Sequence, residues 1–422
     1  MLNVIKRTLI DYAIKIRMFT PNARFYLINV IISGVAMGVF RLLFNFYALS
    51  LGFDEAFLGR LITISSLTSL LVALPMGYLA DLLGRKNSLI LSGLLVSVAI
   101  FGMVFYPNAA AFYTLQIILG IAQSLAAITM APFLMENSDE QERTYLFSFG
   151  QGLQMLSSFV GNWLGGYLPT WFALRQGIIP TDSQAYAHSL LVVAGMYFLG
   201  LVPLIFLQRN RMVGKAHSVF APIRYAKENP KLLGKLVVPV LVTSIGAGLI
   251  MPFMNVFFRT VHHQPDTTIG TMFAWGSLAM GIGLLIAPPL ADRFGKIQVV
   301  VVTQALSVPF LILLGFSPWF WLSALSYYVR LALMNMSNPV FQTFVMENVD
   351  QDARATVASL TSMAWNFGWA FSPTISGILQ VSYSFGPAFL GTILTYILAI
   401  LMYWAFFWHG KPRESVAIAH GD

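Results

Sequence analysis

Two sets of charged residues in this chain could do chemistry, and they fall in different places. The first set recurs. Asp81 and Arg85 lie four residues apart around Gly84, and Glu136 and Arg143 follow in a later polar stretch. The same pattern returns as Asp292 and Lys296, then Glu347 and Arg354. Every offset (292−81, 296−85, 347−136, 354−143) equals 211, half of 422. Opposite charges at helix ends, joined through a turn that glycine permits, can pair and unpair, so they suit a latch. The second set is solitary. Arg41 and Arg330 sit inside long apolar runs, and at the same offset they align with Pro252 and Leu119, so neither repeats. Arginine at a bilayer centre costs about 2.5–3.5 kcal/mol on insertion scales, so it must face water, a partner or a ligand. All seventeen Asp and Glu fall in loops, tails or helix ends, which leaves an anionic substrate as the expected partner of the two arginines. The alternative for each arginine is bonding to backbone carbonyls or Asn/Gln in a packed interface, or snorkelling outward.

The elements that must carry these residues are membrane spans. Hydrophobic residues make up 57% of the chain and charged ones 10%, too few to wet the surface of a soluble protein of this size. Crossing the hydrocarbon takes about 20 mostly apolar residues. Runs of that kind lie at 25–50, 56–80, 87–106, 110–135, 144–172 and 187–207, then at 236–259, 268–291, 297–316, 319–345, 355–381 and 385–408. They are too long and too uniformly apolar for barrel strands. Twenty of the 25 Lys and Arg fall on one side of these spans, with only Arg60, Arg175 and Arg259 on the other. That bias places both termini and the basic 208–235 stretch in the cytoplasm, and it accounts for the net charge of +8. The reading is an all-α integral membrane protein of the cell membrane. Its twelve helices form two six-helix bundles related by a pseudo-two-fold, 1–207 and 236–422, joined by a cytoplasmic linker. No cleaved signal peptide is expected.

The loops now point to a family. Gly77-Tyr78-Leu79-Ala80-Asp81-Leu82-Leu83-Gly84-Arg85-Lys86 resembles the signature loop between helices 2 and 3 of the major facilitator superfamily, departing from it at Leu82. The copy from Pro288 to Lys296 is weaker at its start but keeps Asp292, Gly295 and Lys296. The resemblance implies a non-ATP secondary transporter working by alternating access. It also implies that Asp81, Arg85, Glu136 and Arg143, with Asp292, Lys296, Glu347 and Arg354, form a cytoplasmic gating relay. The alternative for these eight is that they only anchor loops and set topology.

In that family helices 1, 4, 7 and 10 line a central cavity, and here each carries one small or polar stripe. The stripes are Gly34, Gly38, Arg41 and Asn45; Gln116, Gly120, Gln123 and Ala127; Ser244, Gly248, Met251 and Asn255; and Ser323, Ser326, Arg330, Met334 and Ser337. The substrate-contact candidates are therefore Arg41, Asn45, Gln116, Gln123, Asn255, Tyr327 and Arg330, together with Trp365 and Asn366. Tyr47, Trp275 and Trp369 could also stack on a ligand, although Trp and Tyr commonly serve helix packing. Drug/proton antiporters of the family carry Arg where this chain has Gln116, and Pro where it has Asn162 before Trp163-Leu164-Gly165-Gly166. That pattern is half present. The expected function is transport of a small organic anion, with export of amphipathic drugs or lipid-like molecules as the alternative. Cysteine is absent, the one acid/histidine cluster is His262, His263 and Asp266, and no phosphate-binding glycine loop or basic-aromatic nucleic-acid motif occurs. No catalysis, metal, cofactor, ATP or nucleic-acid partner is expected; the partners are the bilayer and a small solute.

Overall fold

The computed structural model describes residues 19–208, 229–349 and 354–408, so the N-terminal basic segment, most of the linker and the C-terminal tail lie outside the described residues. Every regular element among the described residues is helical. In chain order they are α1 (Pro21–Ser50), α2a (Glu55–Leu71), α2b (Ala73–Leu83), α3 (Arg85–Phe105), α4 (Ala109–Glu136), α5 (Glu140–Gln176) and α6 (Ser183–Ile205). Then come α7a (Pro230–Ile250), α7b (Met254–Thr260), α8 (Asp266–Phe294), α9 (Lys296–Phe316) and α10 (Phe320–Glu347). Last are α11a (Arg354–Trp369), α11b (Ser372–Tyr383) and α12 (Gly386–Tyr403), which runs on into a π-turn at Trp404–Trp408. Among the described residues, eight helices are long and apolar enough to cross a membrane, with Pro230–Thr260 taken as one, or nine with α2a and α2b also taken as one span.

Three spans expected as continuous are broken, each at a proline. Proline lacks the N–H that would bond four residues back, and its ring crowds that carbonyl. Pro75 follows the α2a–α2b junction, where the axis bends by 60°. Pro252 lies in the 3₁₀ turn Met251–Phe253 between α7a and α7b, and Pro373 opens α11b. Helix starts follow local chemistry. Thr20, Asp54 and Asn108 accept backbone N–H bonds from Ala23, Phe57 and Ala111, satisfying donors that a first turn leaves free.

Small residues set the packing. Gly38 on α1 and Gly161 on α5 bring those two backbones together; a methyl group on Gly38 would meet Gly161 Cα at 2.9 Å. Within the first six rods α1 packs on α5 and α6, and α3 on α4 and α6; within the last six α7a packs on α12 and α11a, and α9 on α10. The two sets meet along α5 with α8 and along α2a with α11a and α11b. Gly166 and Gly270 permit the first contact, while Gly59 and Gly377 permit the second by lying against Pro373 and Glu55 backbone.

Candidate functional site

The end that carries the 51–54, 177–182 and 261–265 loops is closed, and three layers close it. In the first, Asn45 Nδ2 donates to Asn255 Oδ1 at 2.9 Å and to the Pro252 carbonyl at 2.8 Å, and Asn255 Nδ2 donates to the Leu42 carbonyl at 2.8 Å. Each amide thus reaches the carbonyl three residues before the other. Pro252 makes its half possible by breaking α7. In the second layer Tyr186 Oη of α6 donates to Asp266 Oδ2 at 2.5 Å and accepts from Arg259 Nη2 at 2.6 Å. Arg259 lies 3.6 Å from Asp266 and 4.3 Å over the ring of Phe46. In the third, Thr374 Oγ1 donates to Thr63 Oγ1 at 2.8 Å beside Gly59. Next to these layers, His262 lies among Phe257, Phe258 and Phe320; burial, with His263 adding to it, lowers its pKa from the ordinary 6.5.

The opposite, linker end is splayed. The segment α2b packs on α3 and α4 of its own half, and its Leu74, Tyr78 and Leu82 are exposed. The repeated charges lie here and pair within halves. Arg85 binds Asp81 at 2.9 Å and Glu136 at 3.0 Å, while Lys296 bonds Glu347. Arg143 donates to the Ser138 carbonyl at 3.2 Å. Asp292 and Arg354 are exposed and have no ion pair among the described residues.

Between the two ends, a cavity of about 900 Å³ lies within the second half alone, among α7a, α9, α10, α11a and α12. On α10 its lining runs from Arg330 to Met346, roughly 24 Å of helix at 1.5 Å per residue. Among the described residues, Arg330 is the only charged one lining it, and it is 1% exposed. Among the described residues, its Nη2 donates to Tyr396 Oη at 3.1 Å, its Nη1 meets only the Met251 thioether at 3.5 Å, and its Nε has no partner. A guanidinium carries five donors and accepts nothing, so this one is buried with most of its capacity unused.

The predicted residues therefore separate. Arg330 and Trp365 line the cavity, as does Trp369, whose indole N–H is also buried without a partner. Asn45 and Asn255 belong to the closed end. Tyr327 is buried against Phe258 and Phe273, outside the cavity wall. Gln116 is buried on α4, and Gln123 and Asn366 are exposed. Arg41 is exposed and does not line the cavity. It sits one turn to the linker side of Asn45, within about 40° of it around α1. Sequence reasoning missed the Tyr186–Asp266–Arg259 cluster because its members belong to three separate helices. Arg259 read only as an outer-side charge and Asp266 as a loop residue, and nothing in the sequence singled out Tyr186.

Comparison with known proteins places this geometry. The family model described as Major Facilitator Superfamily matches residues 26–264 and 236–422. The multidrug resistance protein MdtG of Dickeya zeae (strain Ech586) is 23% identical over 372 residues, covering 86% of this chain and 87% of that one. Among solved structures, the nucleoside transporter NupG superposes with a TM-score of 0.77 at 13% identity, covering 93% of this chain and all of that one. The D-xylose-proton symporter does so with 0.67 at 17% identity, covering 91% and 98%. The chain belongs to the major facilitator superfamily and is a secondary transporter of small solutes across the bilayer.

Proposed function

We propose that the substrate is an amphipathic organic anion whose acidic head meets Arg330 and whose apolar body lies along the cavity toward the linker end. The observation that carries this is the under-bonded guanidinium in a cavity that no carboxylate lines among the described residues. A buried charge without compensation is costly, and a ligand carboxylate supplies the missing partner where it is worth most. Trp365, Phe341 and Tyr403 give the wall its apolar and aromatic character. With the linker in the cytoplasm, as the loop charges imply, the described state is open to the cytoplasm and closed outside. Arg41, exposed below the Asn45–Asn255 plug and on the same side of α1, then faces the open cleft, where it would attract anions without holding the head. The repeated loop charges, paired within halves here, would exchange partners when the cytoplasmic end closes.

A second reading, transport of neutral or cationic amphiphiles, is favoured by the multidrug name of the relatives and by the aromatic wall, since ring faces attract cations. One experiment separates the two. Purified protein in nanodiscs is titrated with naphthylacetate, naphthylacetamide and naphthylethylamine, and binding is read by thermal stabilisation. The first reading expects the acid to bind best, and Arg330→Gln to weaken only the acid, by roughly 10- to 100-fold for lost charged hydrogen bonds. Equal binding of all three, or acid affinity unchanged in the variant, would overturn it. Arg330→Met is expected to leave the unliganded protein at least as stable as its parent, because it removes an uncompensated buried charge.

A further inference from the structure

Six buried side-chain N or O atoms among the described residues have no hydrogen-bond partner, and only two of them belong to residues that line the cavity. Those two are Arg330 Nε and Trp369 Nε1. Both are donors that can accept nothing, so only an acceptor can satisfy them. They come from different helices, α10 and α11a. The end of α11a is fixed by packing: Ser244 of α7a donates to the Trp365 carbonyl, and Gly368 sits against Ser244, so the following Trp369 is held in place. Buried indole N–H groups normally find a partner, and here the protein offers none.

We infer that Trp369 is a second recognition residue, its indole N–H donating to the same acidic head that Arg330 binds. This rests on the anion reading and adds to it. Arginine supplies charge complementarity, and the indole supplies direction. The two together select a head with two acceptor oxygens, as in a carboxylate, over one that must donate. A primary amide has one acceptor oxygen and brings its own N–H groups against a donor wall, which leaves donors unpaired on both sides.

The test keeps the ring and removes the N–H. In nanodiscs, affinities for naphthylacetate and naphthylacetamide are compared in the parent, in Trp369→Phe, and in a protein with benzothienylalanine at position 369, whose bicyclic ring has sulfur in place of N–H. The expected result is a loss of about tenfold for the acid and under threefold for the amide, narrowing the acid/amide ratio in both variants. If the benzothienyl protein keeps the parent ratio, or acid and amide weaken together, the indole N–H does not read the head and the inference falls. Should Trp369→Phe fail to fold, the near-isosteric benzothienyl variant decides alone. A parent that does not discriminate acid from amide removes the anion reading itself. Discrimination that Arg330→Gln destroys but benzothienylalanine spares removes only the role of Trp369.

Discussion

Replacing Tyr186 with Phe should open the closed end of this transporter, and the structure sets the size of the effect. The phenol is buried and joins the halves twice, donating to Asp266 at 2.5 Å and accepting from Arg259 at 2.6 Å. Hydrogen bonds to charged groups contribute about 1.5–3 kcal/mol each. Both charges belong to the second half and keep each other at 3.6 Å when the phenol is gone, so neither is orphaned. The net loss is therefore nearer one bond than two. At roughly 2–3 kcal/mol the closed-to-open ratio should fall about 30- to 150-fold. The ring itself remains, so packing on Phe46 at 6.2 Å is kept. The chain has no cysteine, so labels can be placed freely. Pro107 and Pro318 are exposed, lie between α3 and α4 and between α9 and α10, and are 211 residues apart, which makes them equivalent in the two halves. Spin labels at Pro107→Cys and Pro318→Cys should show a longer-distance population in Tyr186→Phe. A closed ensemble much deeper than 3 kcal/mol would hide the shift, so Asn45→Ala is added, removing a further bond or two of the plug at about 1 kcal/mol each. Unchanged distances in the double variant would refute the claim that these contacts hold the end shut.

Other outcomes follow from the same geometry. Gly377→Val places a side chain against the Glu55 backbone and should shift the same spin-label pair toward open without touching any polar contact; a distance distribution like that of the parent would show that α2a and α11b have room to spare. His262 titrates below its ordinary 6.5 because burial disfavours its charged form, so the unfolded chain takes the proton first and stability declines as pH falls below about 6.5. His262→Phe should flatten the melting temperature between pH 7.5 and 5.5. Arg85→Ala breaks two partly exposed pairs inside one half, worth at most about 1 kcal/mol each, so melting temperature should drop by only a few degrees while the spin-label distance at the closed end stays put.

Much of the fold was legible because bilayer physics constrains it so strongly. Long apolar runs gave the rods, and the repeated Asp81 and Asp292 loops, 211 residues apart, pointed to a duplication. The breaks at Pro75, Pro252 and Pro373 were visible as prolines, but a span tolerates proline when neighbours re-satisfy the backbone, so sequence did not say where an axis would turn. The site was legible only in part. Arg330 stood out because an unrepeated charge in hydrocarbon demands a reason. Asn45 and Asn255 carried the same polar signal as a ligand contact. A cross-half amide clamp and a substrate-facing amide look alike until the opposing backbone is known. Arg41 was grouped with Arg330 by residue type, yet sits on a helix of the other half, and Tyr186 carried no signal that set it apart from a packing tyrosine.

The separation of clamp from cavity has a consequence for how transport is driven. A ligand shifts a two-state equilibrium only by the difference between its affinities for the two states. Every described residue lining the cavity comes from the second half, so rocking of one half against the other would leave the surroundings of Arg330 and Trp369 largely intact. On the anion reading, a head held there would bind both states about equally and could not by itself drive the switch, however tightly it bound. The position 211 residues before Arg330 is Leu119, buried in the apolar core, so the arginine is not repeated across the cleft. Differential affinity must then come from the part of the substrate that leaves the cavity and touches the first half, where Arg41 and Gln123 are exposed. Short anions should bind without promoting turnover, and longer ones of equal affinity should accelerate it.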